Sequence, residues 1–205
     1  MEKIKWGIIG PGNIANNFAD GLKGSYSGQL VSIASKSEDR RKNFGDKYDI
    51  HPDFRFDSYE DIINSEHIDA IYISTPHTLH AEWTIKAAGK GKHILCEKPG
   101  AINFNEGKKI IDAVREAGVF YMEGFMYRCH PQIPKLVDII KNKIIGDVIS
   151  VETSFGFDMG KTIPDHRLFN KNLAGGGILD VGLYPISFSR LIAGCLLYTS
   201  PSPRD

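Results

Sequence analysis

Cysteine is scarce in this 205-residue chain: Cys96, Cys129 and Cys195 are too few and too scattered for a disulfide framework or a zinc site. That scarcity suits a reducing cytoplasm and gives no reason to expect a metal. Net charge is lacking as well. Lys plus Arg and Asp plus Glu both count 25, which leaves no basic footprint for nucleic acid and no polybasic patch for a membrane surface. A small, neutral partner fits that balance. Long hydrophobic runs are missing too, since nothing approaches the roughly 18 apolar residues of a membrane span. The opening M-E-K-I-K-W-G-I-I-G runs into a strand pattern without the charged and apolar regions of an export signal.

What is present is enough apolar residue for a core: 41% hydrophobic against 24% charged. Strand and helix patterns alternate from the start. Strands are predicted over residues 3–9, 30–34, 70–74, 94–96 and 119–122, and helices over 13–22, 39–47, 59–64, 79–88 and 106–116. Ser58 with Asp61 gives a capping-box pattern ahead of the short helix at 59–64. Apolar strands separated by amphipathic helices predict an α/β, doubly wound parallel sheet covered on both faces, over residues 1–121. Farther on, Ile149, Val151, Thr153, Phe155 and Phe157 alternate with Ser150, Glu152, Ser154 and Gly156. This period of two predicts a strand with one buried face, which wants antiparallel neighbours. No second strand of that kind follows before residue 194, so residues 122–194 read as the start of an α+β domain whose antiparallel sheet is incomplete.

The closing C-L-L-Y-T-S-P-S-P-R-D follows an apolar helical stretch with Pro and Ser breakers and matches no element this fold needs. At every position from 195 to 205 it resembles the one-frame translation of a transposon-end adapter used in sequencing libraries. The expectation is therefore a non-native tail over 195–205 and a protein truncated at its C-terminal side. Such a fragment is expected to keep a nearly complete nucleotide domain, to expose an apolar sheet face, to aggregate readily and to turn over little.

G-P-G-N-I-A, residues 10–15, fits G-x-G-x-x-A after a strand and before a helix. Gly10 allows a tight turn, Gly12 lets the backbone approach a pyrophosphate, and Ala15 packs helix on strand. The helix start at Asn13 and Ile14 supplies N–H groups and positive potential for phosphate. A structural glycine turn is the other reading, and the motif's place as the first unit of an alternating chain favours a cofactor. After the second strand, A-S-K-S-E-D-R-R puts Ser35 and Lys36 where NAD-preferring sites carry an acid, with Arg40 and Arg41 one helical turn on. A cationic, hydroxyl-bearing pocket suits a 2′-phosphate, so NADP is preferred and NAD is the alternative. Glu38 and Asp39 keep open the reading of a solvated helix face.

C-E-K-P, residues 96–99, places Lys98 at the carboxyl end of a parallel strand, where this architecture binds ligands. Alone, it reads rather as a surface lysine in a turn bent by Pro99. G-G-G-I-L-D-V-G-L-Y-P, residues 175–185, puts Asp180 and Tyr184 on one face if the segment is helical. A phenol is a poor base at its reference pKa of about 10, and a nearby ammonium group such as that of Lys98 would lower it. Alone, this pair too reads as an ordinary half-buried aromatic and a carboxylate at a helix start.

Together these motifs resemble the glucose-fructose oxidoreductase and inositol dehydrogenase (Gfo/Idh/MocA) family. M-E-G-F-M-Y-R-C-H-P, residues 122–131, looks like the segment with which that family leaves its nucleotide domain, and S-T-P-H-T-L-H, residues 74–80, like its loop beside the cofactor. The tyrosine at 184 is closest to the dihydrodiol, xylose and glucose-fructose branch, because inositol dehydrogenases carry His there. The resemblance covers residues 1–194. It implies hydride transfer between a substrate carbon and C4 of the nicotinamide, with a sugar, polyol or cyclic diol as substrate and no metal.

In that family pattern Tyr184 is the general base in oxidation and acid in reduction, Lys98 tunes it and holds the reacting oxygen, and Asp180 orients Tyr184 or the substrate. Cofactor contacts are implied at Gly10, Gly12, Asn13 and Ile14, at Ser35, Lys36 and Arg40, and at Thr75, Pro76, His80, Glu97 and Lys98. Arg128 and His130 either line the substrate pocket or serve as salt bridges and caps at the domain junction. His77 and His80 fit loop and cofactor-contact roles better than acid–base catalysis. A homo-oligomer built through the missing sheet is implied as well. Two alternatives stay open: a non-catalytic regulator that senses NADP or a sugar on the same fold, and an imine or tetrapyrrole reductase of related architecture.

Overall fold

The computed structural model describes residues 2–161, 163 and 165–194, so the tail expected to be non-native lies outside the described residues. Two compact units divide the chain, Met1–Gly124 and Phe125–Asp205.

The first unit runs β1 (Ile4–Ile9), α1 (Asn13–Lys23), β2 (Gly28–Ala34), α2 (Glu38–Lys47), β3 (Arg55–Phe56), α3 (Tyr59–Asn64), β4 (Ala70–Ile73), α4 (His80–Ala88), β5 (His93–Cys96), α5 (Phe104–Ala117) and β6 (Tyr121–Glu123). Its strands form one sheet in the order β3-β2-β1-β4-β5-β6, every pair parallel. Side chains alternate across the pleat, and both faces are buried. Ile8, Ile33 and Tyr72 point to a core shared with Ala15, Ala19 and Phe44 of α1 and α2. Ile9, Ile71, Ile73 and Ile94 point to the opposite core, with Ile62, Trp83 and Ile110 of α3, α4 and α5. Each isoleucine so enclosed contributes about 1.5–3 kcal/mol.

Local chemistry sets the helix ends. The Ser58 hydroxyl accepts from the N–H groups of Glu60 and Asp61 at the start of α3, as its capping pattern predicts. Asn103 caps α5 through the Glu106 N–H, and Gly118, in the left-handed region, ends it. Two features of this unit escape the sequence pattern. The strand β3 is only two residues long, too short to show a period, and the domain boundary expected after residue 121 falls inside β6, which pairs with β5 as far as Glu123.

The second unit contains α6 (Gln132–Lys141) and α7 (Leu183–Ala193), with a π-helical turn over Ile178–Gly182 leading into α7. Sequence reading passed over α6, although Ile133, Leu136, Val137 and Ile140 stand at helical spacing and Pro134 sits in the first turn, where proline is tolerated. The strand predicted over 149–157 does not form: these residues join no ladder among the described residues. A strand is stable only where its backbone N–H and C=O groups find a partner edge. The segment instead uses side chains along α7. Thr153 Oγ1 lies 3.4 Å from both Pro185 O and Ser189 Oγ, and the Phe155 ring meets the edge of Tyr184 at 5.2 Å. Ile149, Phe155 and Phe157 stay exposed.

Candidate functional site

The sheet order reverses between β1 and β4, since the chain builds outward to β2 and β3 before returning to the other side of β1. At such a switch point the loops at the carboxyl ends of the strands diverge and leave a crevice. Residues 10–14, 35–40, 74–76 and 97–99 all lie at carboxyl strand ends of this sheet.

Gly10 holds φ at +90°, and a Cβ there would stand 3.0 Å from Ser74 O and 3.1 Å from Thr75 N, so the turn requires glycine. Ser74 Oγ donates to Gly10 O at 2.8 Å and ties the two loops together. Gly12 is the N-cap of α1 and has nothing within 4 Å of where its Cβ would be. The first-turn N–H groups at Asn13 and Ile14 therefore begin a helix whose cap offers no side chain and whose first turn carries no acid. Thr75 Oγ1 is buried and has no hydrogen-bond partner among the described residues. An open glycine cradle at a helix N-terminus beside an unsatisfied buried hydroxyl fits the pyrophosphate and sugar of a dinucleotide.

Beyond β2 the chain departs partly from expectation. Ser35 is 4% exposed, its Oγ accepts from Ser37 N–H at 3.3 Å, and its carbonyl accepts from Arg41 Nη1 at 2.7 Å. Its hydroxyl thus shapes the loop, and Arg41 braces it. Lys36 and Arg40 are exposed. The Lys36 ammonium stands 5.7 Å from the centroid of the Tyr59 ring, a neighbour that sequence reading missed. Burial pushes the Tyr59 phenol above its ordinary value, against the opposing pull of the Arg40 charge.

His80, an expected cofactor contact, lies inside the fold beneath the crevice loops. Its ring is fully buried, with Nδ1 2.7 Å from Pro99 O and Nε2 2.8 Å from Thr75 O. Both nitrogens are occupied by backbone, so the side chain links two crevice loops and offers no free atom to a ligand. Glu97 is likewise engaged, accepting the Tyr72 hydroxyl at Oε1. Pro76 begins the turn that leads into α4, and Lys98 precedes Pro99 across a cis peptide bond.

In the second unit Asp180 lies in the π-helical turn and Tyr184 one turn on in α7, so the segment whose helicity the sequence left conditional is helical with a π turn at its start. Such turns recur at functional positions. Asp180 is 8% exposed and pairs with Arg167 Nη1 at 3.5 Å. Tyr184 is half-buried among Phe125, Tyr127 and Phe155, with ring centroids 5.6, 6.2 and 5.2 Å away. Arg128 Nη2 reaches Ser187 Oγ at 3.4 Å, while His130 Nδ1 accepts from Gln132 N–H at 3.2 Å at the entry to α6.

The family model described as "Oxidoreductase family, NAD-binding Rossmann fold" (GFO_IDH_MocA) matches residues 4–125. The chain belongs to this family. D-xylose 1-dehydrogenase (NADP(+)) 2 of Haloferax volcanii is 34% identical over 191 residues, 93% of this chain and 58% of that protein. The trans-1,2-dihydrobenzene-1,2-diol dehydrogenase of Mus musculus is 34% identical over 193 residues, 93% of this chain and 56% of that one. Among solved structures, the aldose-aldose oxidoreductase from Caulobacter crescentus complexed with glycerol superposes with a TM-score of 0.87 at 28% identity, over 94% of this chain and 58% of that one. The chain thus spans a little over half the length of the relatives it matches.

Within this Gfo/Idh/MocA member, motif reading did not single out Tyr72 at Glu97 and Glu123 at Gly100 in the first unit or Arg167 at Asp180 in the second, and it did not place Arg41. Each acts on a residue far away in sequence or through backbone, so no local spacing marks it. No helix of the described residues is long and apolar enough to cross a membrane.

Proposed function

We propose that the protein is an NADP-dependent oxidoreductase that moves a hydride between the nicotinamide and a CH–OH carbon of a sugar, polyol or cyclic diol. The observation that carries this reading is Lys98 at the carboxyl end of β5, in the same sheet-end crevice as the open cradle at Gly10 and Gly12. Similarity to proteins named as a xylose dehydrogenase and a dihydrodiol dehydrogenase supports the substrate class. NADP, when bound, supplies or accepts the hydride. Gly12 and the first turn of α1 hold the pyrophosphate, and Lys36 and Arg40 take the 2′-phosphate. Tyr184 takes a proton from the substrate hydroxyl in oxidation and returns it to the carbonyl oxygen in reduction. The Lys98 ammonium holds that oxygen and stabilises the phenolate. Asp180, itself fixed by Arg167, orients the phenol.

The test is single-turnover oxidation of bound NADPH by the 205-residue chain, followed at 340 nm against a panel of aldoses, keto-sugars and cyclic ketols. Turnover with at least one of them, lowered by two orders of magnitude or more in Tyr184→Phe and in Lys98→Met and little further in the double variant, is expected. Near-normal turnover in Tyr184→Phe refutes the assignment, and tight NADPH binding with no hydride transfer to any of them turns the reading toward a cofactor-sensing regulator.

A further inference from the structure

The turn that carries Lys98 is gripped from the strands on both of its flanks. On one side Tyr72 in β4 donates its hydroxyl to Glu97 Oε1. The Tyr72 ring is buried and stacked on Phe18 of α1, with centroids 4.1 Å apart and planes 24° from parallel. On the other side Glu123, the last residue of β6, accepts the Gly100 N–H at Oε1 over 2.7 Å. The fit there is close enough to exclude a side chain: a Cβ on Gly100 would collide with Tyr121 Oη and lie 3.5 Å from Glu123 Cδ. The entry to the turn is anchored to both neighbouring strands by backbone, Glu97 N–H donating to Ile73 O at 2.9 Å and Gly124 N–H to Cys96 O at 2.7 Å. With His80 at the Pro99 carbonyl, the residue before Lys98 and the two after it are each held by a side chain from a different element.

We propose that Tyr72 and Glu123 are positioning residues for Lys98, holding its turn from β4 through the Glu97 side chain and from β6 through the Gly100 N–H, without touching the reacting atoms. The proposal rests on the catalytic reading of Lys98 given above. Hydrogen bonds to a carboxylate are about twice as strong as neutral ones, so two of them, one on each side of Lys98 at Glu97 and Gly100, make a stiff support. Burial and the neighbouring Glu97 charge both push the Tyr72 phenol above its ordinary value, which keeps it a donor throughout the neutral range. The stack on Phe18 joins this support to the helix that begins at the Gly12 cradle, so the cofactor helix and the lysine turn share one rigid contact. Such stiffness matters because misplacing a catalytic group by about 1 Å costs on the order of 100-fold in rate.

The experiment compares the parent chain with Tyr72→Phe, Glu123→Ala and Glu123→Gln by amide hydrogen exchange, NADPH affinity and single-turnover hydride transfer. Tyr72→Phe keeps the ring against Phe18 and removes only the hydroxyl, while Glu123→Gln keeps an oxygen for the Gly100 N–H. Exchange at the Lys98 and Gly100 amides is expected to quicken about tenfold or more in Tyr72→Phe and Glu123→Ala, the equivalent of one lost hydrogen bond. Core amides at Ile8 and Ile33 and the NADPH affinity should stay as in the parent while hydride transfer slows, and Glu123→Gln should recover most of the protection and rate. Unchanged exchange at Gly100 in Glu123→Ala, or a Glu123→Gln variant as impaired as Glu123→Ala, overturns the proposal. If Glu123→Ala does not fold, Tyr72→Phe and Glu123→Gln decide it on the same readouts. A parent chain that passes hydride to no substrate sinks the enzymatic reading alone, and exchange at Gly100 then still decides whether the support exists.

Discussion

His80 Nδ1 lies 2.7 Å from the carbonyl oxygen of Pro99, at the centre of a fully buried ring whose other nitrogen faces Thr75 O. One imidazole thereby joins the loop after β4 to the loop after β5. Replacing it with leucine fills the volume but strands the carbonyl oxygen that the imidazole N–H serves, which costs about 1–3 kcal/mol. His80→Leu is expected to lower the urea midpoint accordingly and to weaken NADPH binding, because both loops border the crevice. Trp6 and Trp83, the chain's two tryptophans, both lie in the first unit and report its unfolding by fluorescence. An unchanged midpoint would show that the imidazole's bridge between the two loops contributes nothing.

This residue also marks the limit of what the sequence made legible. The sheet could be anticipated because its evidence is local: Ile8 and Ile9 belong to opposite cores, and a strand buried on both faces reads as an uninterrupted apolar run. The Ser58 cap and the glycines of the first loop are equally local. His80 is different. The letters T-P-H-T-L-H are the same whether the second histidine faces a ligand or a carbonyl 19 positions away, and only the packing of α4 on β5 decides. The Asp180–Arg167 pair and the Tyr72–Glu97 bond were hidden for the same reason. The segment 149–157 shows the converse limit: its period of two was real, but a period specifies a face and cannot supply a partner edge.

Cys96 and Cys129 are expected to differ sharply toward iodoacetamide. Cys96 is buried, and burial pushes its thiol up to about 12, whereas Cys129 is exposed. The thiolate is the attacking form, and at pH 8 a thiol of that pKa is ionised on the order of one part in 10,000. A raised value keeps the proton on, so reactivity at Cys96 should climb only as the solution is made strongly alkaline or the unit unfolds. Peptide-resolved mass spectrometry of the native chain measures both sites together, and equal labelling at pH 8 would contradict the buried placement.

Cofactor choice is expected to turn on Lys36. Its ammonium stands beside the Tyr59 ring at the carboxyl end of β2, where a carboxylate would favour an unphosphorylated ribose. Losing one hydrogen bond to a charged group costs about 1.5–3 kcal/mol, so Lys36→Ala should weaken NADPH binding about tenfold or more. NADH binding should hardly move, and the salt dependence of NADPH binding should shrink, because an exposed cation–phosphate contact is screened by ions. Fluorescence titrations with both cofactors at two salt concentrations test this. Parent-chain binding of NADH as tight as that of NADPH would remove the NADP preference altogether.

The two glycines of the first loop should fail in opposite ways when each is changed to alanine. At Gly10 the new Cβ would sit 3.0 Å from Ser74 O and 3.1 Å from Thr75 N, on a backbone whose φ of +90° an L side chain rarely adopts. Such strain costs about 1–3 kcal/mol, so Gly10→Ala should lower the stability of the first unit whether or not a ligand is present. At Gly12 the Cβ would meet nothing within 4 Å, so Gly12→Ala should leave the urea midpoint of the unliganded chain unchanged. Yet that open space is what a pyrophosphate needs to approach the N-terminus of α1, and a methyl group in it should weaken NADPH binding at least about tenfold, the equivalent of 1.4 kcal/mol. Loss of affinity without loss of stability is the signature of a position left empty for a ligand. If Gly12→Ala binds NADPH as the parent does, the cradle is only a structural turn and the cofactor must be sought elsewhere in the crevice.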